Sequence, residues 1–246
     1  MYDLPSIQDD ATDAMQETMM DADIAVVRRM QGALYFYLHA YQNAIDEFTR
    51  AIELYGQRAQ SEDQLIDLYC QRADAYRKLE NYAQMAADYS AALELDPQRA
   101  QFYCSRGIAY KMLEQHEQAL ADYSKALELD PRNVEAYYCR GILNSVVFKE
   151  FEKAIADYSQ AILCDPTFVQ AYVNRGHDYL SLQRHEQALQ DFSRVTHLQP
   201  KLAIAYYERG LIYKQLGDLE RAAVDYHTAL ELDPELDHLE DYAQVS

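Results

Sequence analysis

Five prolines divide most of this chain into equal lengths. Pro97, Pro131, Pro166, Pro200 and Pro234 follow one another at steps of 34, 35, 34 and 34 residues. Large aromatics keep the same step at Tyr89, Tyr123, Tyr158, Phe192 and Tyr226, and small residues keep it at Ala73, Gly107, Gly141, Gly176 and Gly210. A fixed period of this length is the mark of a stacked array, in which each unit buries its apolar face against its neighbours and no single central core is needed.

One period resolves into two helices. In residues 100–133, Tyr103, Gly107 and Tyr110 are separated by 4 and 3, and so are Ala119, Tyr123 and Ala126. Each set lies on one face of a helix. Gly107 and Ala119 are small where the two helices approach, and the three tyrosines are expected to fill the space around that contact. The second helix should stop at Leu129-Asp130, because proline disfavours helix in the residue before it. Composition agrees: 49% of the chain is hydrophobic and it holds only 7 Gly and 6 Pro, few breakers for 246 residues.

The pattern of aromatic, small, Tyr, then Ala, aromatic, Ala and Pro resembles the tetratricopeptide repeat. Six copies are expected, at 25–58, 66–99, 100–133, 134–168, 169–202 and 203–236, about 86% of the chain. The resemblance implies an all-α, right-handed superhelical solenoid of helix-turn-helix units. The sequence departs from the family in a regular way. The usual Leu before the small residue is Arg72, Arg106, Arg140, Arg175 and Arg209, and Asp88, Asp122, Asp157, Asp191 and Asp225 precede the second-helix aromatic. Each Arg and Asp should form an ion pair tying the two helices of a unit. The first copy has Gln31, Glu47 and Gly56 instead of Arg, Asp and Pro.

Three irregularities interrupt the period. Residues 59–65 lengthen the first connection, the fourth copy has one extra residue within Val146–Phe151 and Asn144 in place of its tyrosine, and Met85 occupies a small-residue position. The segment 1–24 should be disordered or a helical extension, and 237–246, with Leu239, Tyr242 and Val245 spaced by 3, a short capping helix.

The net charge is −19, most of it at the ends: residues 1–24 hold seven acids and 231–246 hold six, neither with a base. Such a chain repels polyanions, so nucleic acid is not an expected partner. The N-terminal residues lack a basic start and an apolar run, no stretch is long enough to span a membrane, and the four cysteines form no CxxC pair. The expectation is a cytoplasmic protein with free thiols. No phosphate loop or nucleophile turn is present. His-Glu-Gln-Ala-Leu occurs at 116–120 and 185–189, but Leu120 and Leu189 stand where a zinc-binding HExxH needs its second His. No catalytic residue, metal or cofactor is expected.

In the family, the first helices of successive units line a concave groove. The matching positions here are Cys104/Ile108, Tyr138/Ile142, Val173/His177 and Tyr207/Leu211, and only His177 among them is strongly polar. The first two copies have Arg29/Ala33 and Cys70/Asp74 there, so the groove should run from polar to apolar. An apolar groove implies a protein or peptide partner with hydrophobic anchors. No three consecutive copies carry the Lys, Asn and Arg set with which one subclass clamps a chaperone's C-terminal carboxylate. Alternatives are a self-associating structural solenoid, a possible homo-oligomer, or a regulatory subunit of an enzyme complex.

Overall fold

The computed structural model describes residues 23–56 and 62–239. Most of the acidic segment 1–24, residues 57–61 with the first part of the insertion, and the part of the expected cap beyond residue 239 lie outside the described residues. Among the described residues no strand occurs, and none of the helices is long and apolar enough to cross a membrane.

The chain divides into two compact units, Met1–Leu129 and Asp130–Ser246. In the first, helices pair in sequence: α1 (23–37) with α2 (Tyr41–Gly56), α3 (Glu62–Lys78) with α4 (Tyr82–Leu95), and α5 (Ala100–Met112) with α6 (His116–Leu129). The second unit holds α7 (Val134–Ile142) with α8 (Phe151–Cys164), α9 (Val169–Ser181) with α10 (His185–Leu198), and α11 (Ala203–Gln215) with α12 (Leu219–Leu232). A 3₁₀ turn, Pro234–Leu239, follows and packs on α12. It starts three residues before the expected cap.

The period has a direct packing meaning. A Cβ on Gly107 would lie 2.8 Å from the Tyr123 ring, and one on Gly141 2.6 Å from Tyr158, so the aromatic of the second helix packs directly against bare backbone of the first. Phe48, Tyr123, Tyr158 and Phe192 are at most 1% exposed. Four second helices, α4, α6, α8 and α12, end as expected at Asp-Pro, and α10 ends at Gln199-Pro200. The side chains of Asp96, Asp130, Asp165 and Asp233 then accept the backbone N–H two residues on, closing the turn that proline begins. Within pairs, the first helix ends on a residue at positive φ: His39, Glu80, Glu114, Lys149, Gln183 and Gly217. Only the last is the residue type that adopts this conformation freely.

All five Arg–Asp pairs form, with closest N–O distances from 2.6 to 2.8 Å. Each is bidentate: Arg106 Nε and Nη2 both donate to Asp122, and Arg175 does the same to Asp191. The guanidinium also reaches the preceding pair. Arg72 donates to Thr49 Oγ1, Arg106 to Ser90 Oγ, Arg175 to Ser159 Oγ and Arg209 to Thr196 Oγ1. Each of these arginines therefore links three helices.

Two tyrosines of the expected packing stripe take a different place. Tyr103 and Tyr110 are half-buried, and their rings flank the Arg106 guanidinium at 5.6 and 5.7 Å. Tyr172 and Tyr179 flank Arg175 in the same way. The abundance of tyrosine thus serves the cation as well as the core. The first copy keeps its tie by another route: Glu47 accepts from Arg28 of α1 and from Arg50.

The extra residue of the fourth copy is absorbed in a π-helical turn, Leu143–Val147, which extends α7. This turn buries Asn144, whose Nδ2 donates to Asp157 Oδ2 at 3.1 Å. The amide thus supports the carboxylate where other units lay a tyrosine ring beside the arginine.

Candidate functional site

In the second unit the first helices α7, α9 and α11 are neighbours, joined by polar contacts along one face. Asn174 Nδ2 of α9 donates to Tyr138 Oη of α7 at 3.3 Å. His177 Nε2 of α9 lies 3.7 Å from Glu208 Oε1 of α11. Helical spacing places Asn174 and His177 one turn apart, so one turn of α9 reaches both neighbours.

The candidate residues fall around this row. Tyr138 is half-buried, its ring edge-on to Phe168 at 4.9 Å, and burial raises its phenol pKa. Ile142, Val173 and Leu211 are half-buried. His177 is exposed, leans on the Phe192 ring, and has its imidazole pKa raised from the ordinary 6.5 by the Glu208 carboxylate against the opposing pull of burial. Tyr207 is different: it is 8% exposed and packs on Tyr226 at 5.7 Å, so it belongs to the interior rather than to an open face.

Cys104 and Ile108 lie in the first unit. Cys104 is fully buried and offers no surface, which corrects its expected place in the groove, and Ile108 is half-buried. The cause in both corrected cases is position: small or flat side chains on a first helix are overlaid by the neighbouring helix, and the offset stripe is narrower than the spacing suggests.

The structure adds residues that the spacing did not single out. Asp178 is 3% exposed, accepts from Ser145 Oγ of the π-helical turn at 2.6 Å, and has no partner for Oδ2. Burial raises its carboxyl pKa, while Ser145, His177 and Lys149 pull the other way. A signal was present: its equivalents in other units are Ala75, Ala109, Leu143 and Ile212, so a charge stands in an apolar column. In the first unit, Ala33, Phe36, Phe48, Gln71 and Asp74 line a cavity of about 120 Å³, into the stretch expected to be the polar end of the groove.

Among the described residues no three His, Cys, Asp or Glu side chains gather as a metal-binding group. His116 and His185 open α6 and α10 in separate units. All four cysteines are free thiols, and burial raises the pKa of Cys70 to about 12, which keeps it protonated.

Three tetratricopeptide repeat models match the chain, at residues 73–114, 100–133 and 177–245. Among curated proteins, the chain is 44% identical over 52 residues to the Protein SGT1 homolog of Oryza sativa subsp. japonica. It is 36% identical over 77 residues to Serine/threonine-protein phosphatase T of Aspergillus oryzae. The matched regions are 21% and 31% of this chain, and they span only 14% and 15% of those relatives' lengths. Among solved structures, MamA superposes with a TM-score of 0.62 at 25% identity, over 66% of this chain and 95% of that one. YrrB, described as a TPR protein with an unusual peptide-binding site, gives a TM-score of 0.62 at 26% identity, over 78% of this chain and 94% of that one. With its recurrent helix pairs and these matches, the chain belongs to the tetratricopeptide repeat family.

Proposed function

We propose that this protein is an interaction module without catalysis of its own, and that α7, α9 and α11 bind a peptide or helical segment of a protein partner. The observation that carries this reading is the mixed character of that face. Half-buried Ile142, Val173 and Leu211 accept apolar anchors, and Asn174, His177 and Glu208 beside them supply donors and acceptors that fix orientation. The likeness to YrrB, a protein with a peptide-binding site, supports the same reading. A cytoplasmic location with reduced thiols is part of the proposal, and no nucleic acid, membrane or chaperone carboxylate is included among its partners.

The test is selection of peptides from a random display library on the full chain, with enriched peptides resynthesised and titrated calorimetrically. Micromolar binding is expected, weakened at least tenfold by His177→Ala with Leu211→Lys while helicity and melting temperature hold. A library that yields no enriched sequence, or peptides indifferent to both substitutions, removes the proposal.

A further inference from the structure

Helix α1 exposes an apolar half. Val26, Val27, Met30, Leu34, Tyr37 and Leu38 are 42%, 51%, 65%, 57%, 79% and 59% exposed. At 3.6 residues per turn they share one side of the helix, opposite Ala25, Gly32 and Phe36, which pack on α2. The same positions elsewhere are covered. The equivalents of Val27 are Leu68, Phe102, Ala136, Ala171 and Ala205, and those of Leu34 are Ala75, Ala109, Leu143, Asp178 and Ile212. All ten are buried, at most 6% exposed. In every other unit, therefore, this face of the first helix is an interior surface. On α1 the six side chains leave roughly 600 Å² in the open, at the upper end of what a soluble monomer exposes in one patch.

We propose that this face is closed by α1 of a second copy, in an antiparallel, isologous dimer. Val27, Met30, Leu34 and Tyr37 follow the 3, 4, 3 spacing of a heptad seam. Running antiparallel, Val27 comes opposite the partner's Tyr37 and Met30 opposite the partner's Leu34. The smallest side chain of the seam thus meets the largest, and the two middle residues meet each other. A two-fold axis satisfies both pairs at once, as a self-complementary patch requires. No charge falls on this side between Ile24 and Leu38, so nothing in it asks for a partner of opposite sign. Two such faces bury about 1,200 Å², the lower end of a specific stable interface.

Charge decides the orientation and sets aside the rival arrangements. Residues 1–23 carry seven acids and no base. A parallel pair would bring two such segments together. An antiparallel pair attaches them at opposite ends of a helix about 22 Å long, beyond the roughly 8 Å screening length of physiological salt. Head-to-tail stacking on α12 would join that segment to the acidic residues 231–246, and α12 is already packed by the Pro234–Leu239 turn. An anionic lipid surface is repelled for the same reason.

The test is sedimentation equilibrium of the full chain over a dilution series, with Tyr37→Lys and, separately, Met30→Lys. Both sites are largely exposed, so the substitutions leave the fold intact, as circular dichroism will verify. A discrete dimer is expected, with association weakened at least a hundredfold in each variant. A monomer at tens of micromolar would mean that residues 1–22 or a different protein cover the face, and would overturn the proposal. So would a mass that grows without limit as concentration rises, or a dimer that survives both substitutions.

Discussion

Removing one half of an Arg–Asp pair should cost far more than removing both. The pair Arg175–Asp191 is the clearest place to measure this. Asp191 is 4% exposed and accepts from Arg175 Nε and Nη2 at 2.9 and 2.6 Å. The Arg175 side chain is 17% exposed and gives a third bond, at 2.8 Å, to Ser159 Oγ. Asp191→Ala leaves a guanidinium with two unmet donors between two tyrosine rings. Loss of one member of a buried pair costs about 3–5 kcal/mol, and the residual access of water to Arg175 places this case near 3. Arg175→Met leaves the Asp191 carboxylate unpaired, at a similar cost at neutral pH. The double variant leaves no uncompensated charge. Ser159 still donates to the Ile155 carbonyl at 2.6 Å, so its hydroxyl is not stranded. The double variant should then fall only about 1–2 kcal/mol below the parent, a coupling of about 3 kcal/mol or more. Urea unfolding followed at 222 nm for the four proteins measures that coupling. A value under about 0.5 kcal/mol would show that the pair does not hold the helices together, and the account of the recurrent Arg and Asp would fail.

Asp178→Asn should stabilise the protein at neutral pH by about 1 kcal/mol, because a buried carboxylate with a partnerless oxygen is replaced by a neutral group that still accepts from Ser145. Burial raises the folded-state pKa of Asp178 above the ordinary 3.8, so the folded state binds this proton more tightly than the unfolded state does. Stability from this group is therefore greatest below 3.8 and is lost as pH rises through the folded value, and the gap between variant and parent should close as thermal melts are taken to lower pH. Gln183→Gly relieves a left-handed residue at φ 58°; the conformational cost of about 1–2 kcal/mol is partly offset by the extra chain entropy of glycine, leaving a net gain of about 0.5 kcal/mol in the same melts. Gly141→Ala places a Cβ 2.6 Å from the Tyr158 ring, which is 1% exposed and cannot yield, so unfolding should show a loss of about 1–3 kcal/mol.

What was legible in the residues was whatever repeats. Proline, the small residue and the aromatic recur because each unit meets the same packing problem, and their spacing located both helices and the ion pairs. The third partner of each arginine was harder to see. Ser90 and Ser159 stand 16 residues before Arg106 and Arg175, but Thr49 stands 23 before Arg72 because the first connection is longer, and Arg209 takes Thr196, only 13 before it. A bond that crosses between units shifts where the connection is longer, as at Arg72, or where another hydroxyl takes it, as at Arg209, which bonds Thr196 although Ser193 stands 16 residues before it. The extra residue of the fourth copy was countable, but nothing in its composition distinguishes a longer loop from the π-helical turn that absorbs it. Cys104 and Tyr207 were misplaced for a related reason. Spacing fixes the direction of a side chain from its own helix, whereas exposure depends on how closely the next helix overlies it.

A repeat array also separates structure from recognition in a way that a single-core domain does not. A residue found in every unit answers a need of every unit, so the Arg–Asp pairs and the Gly-aromatic contacts cannot distinguish one partner from another. Specificity must then come from positions where the units differ. Two such places stand out here. One is the row Asn174, His177 and Glu208 with the buried Asp178 behind it, where α9 carries polar groups that α5 and α7 lack. The other is α1, whose outer face has the apolar chemistry of an interior contact without the covering helix. The two lie in different units and on different helices. The two associations use different residues, so the Tyr37→Lys and Leu211→Lys substitutions should act independently, each weakening one association while leaving the other intact.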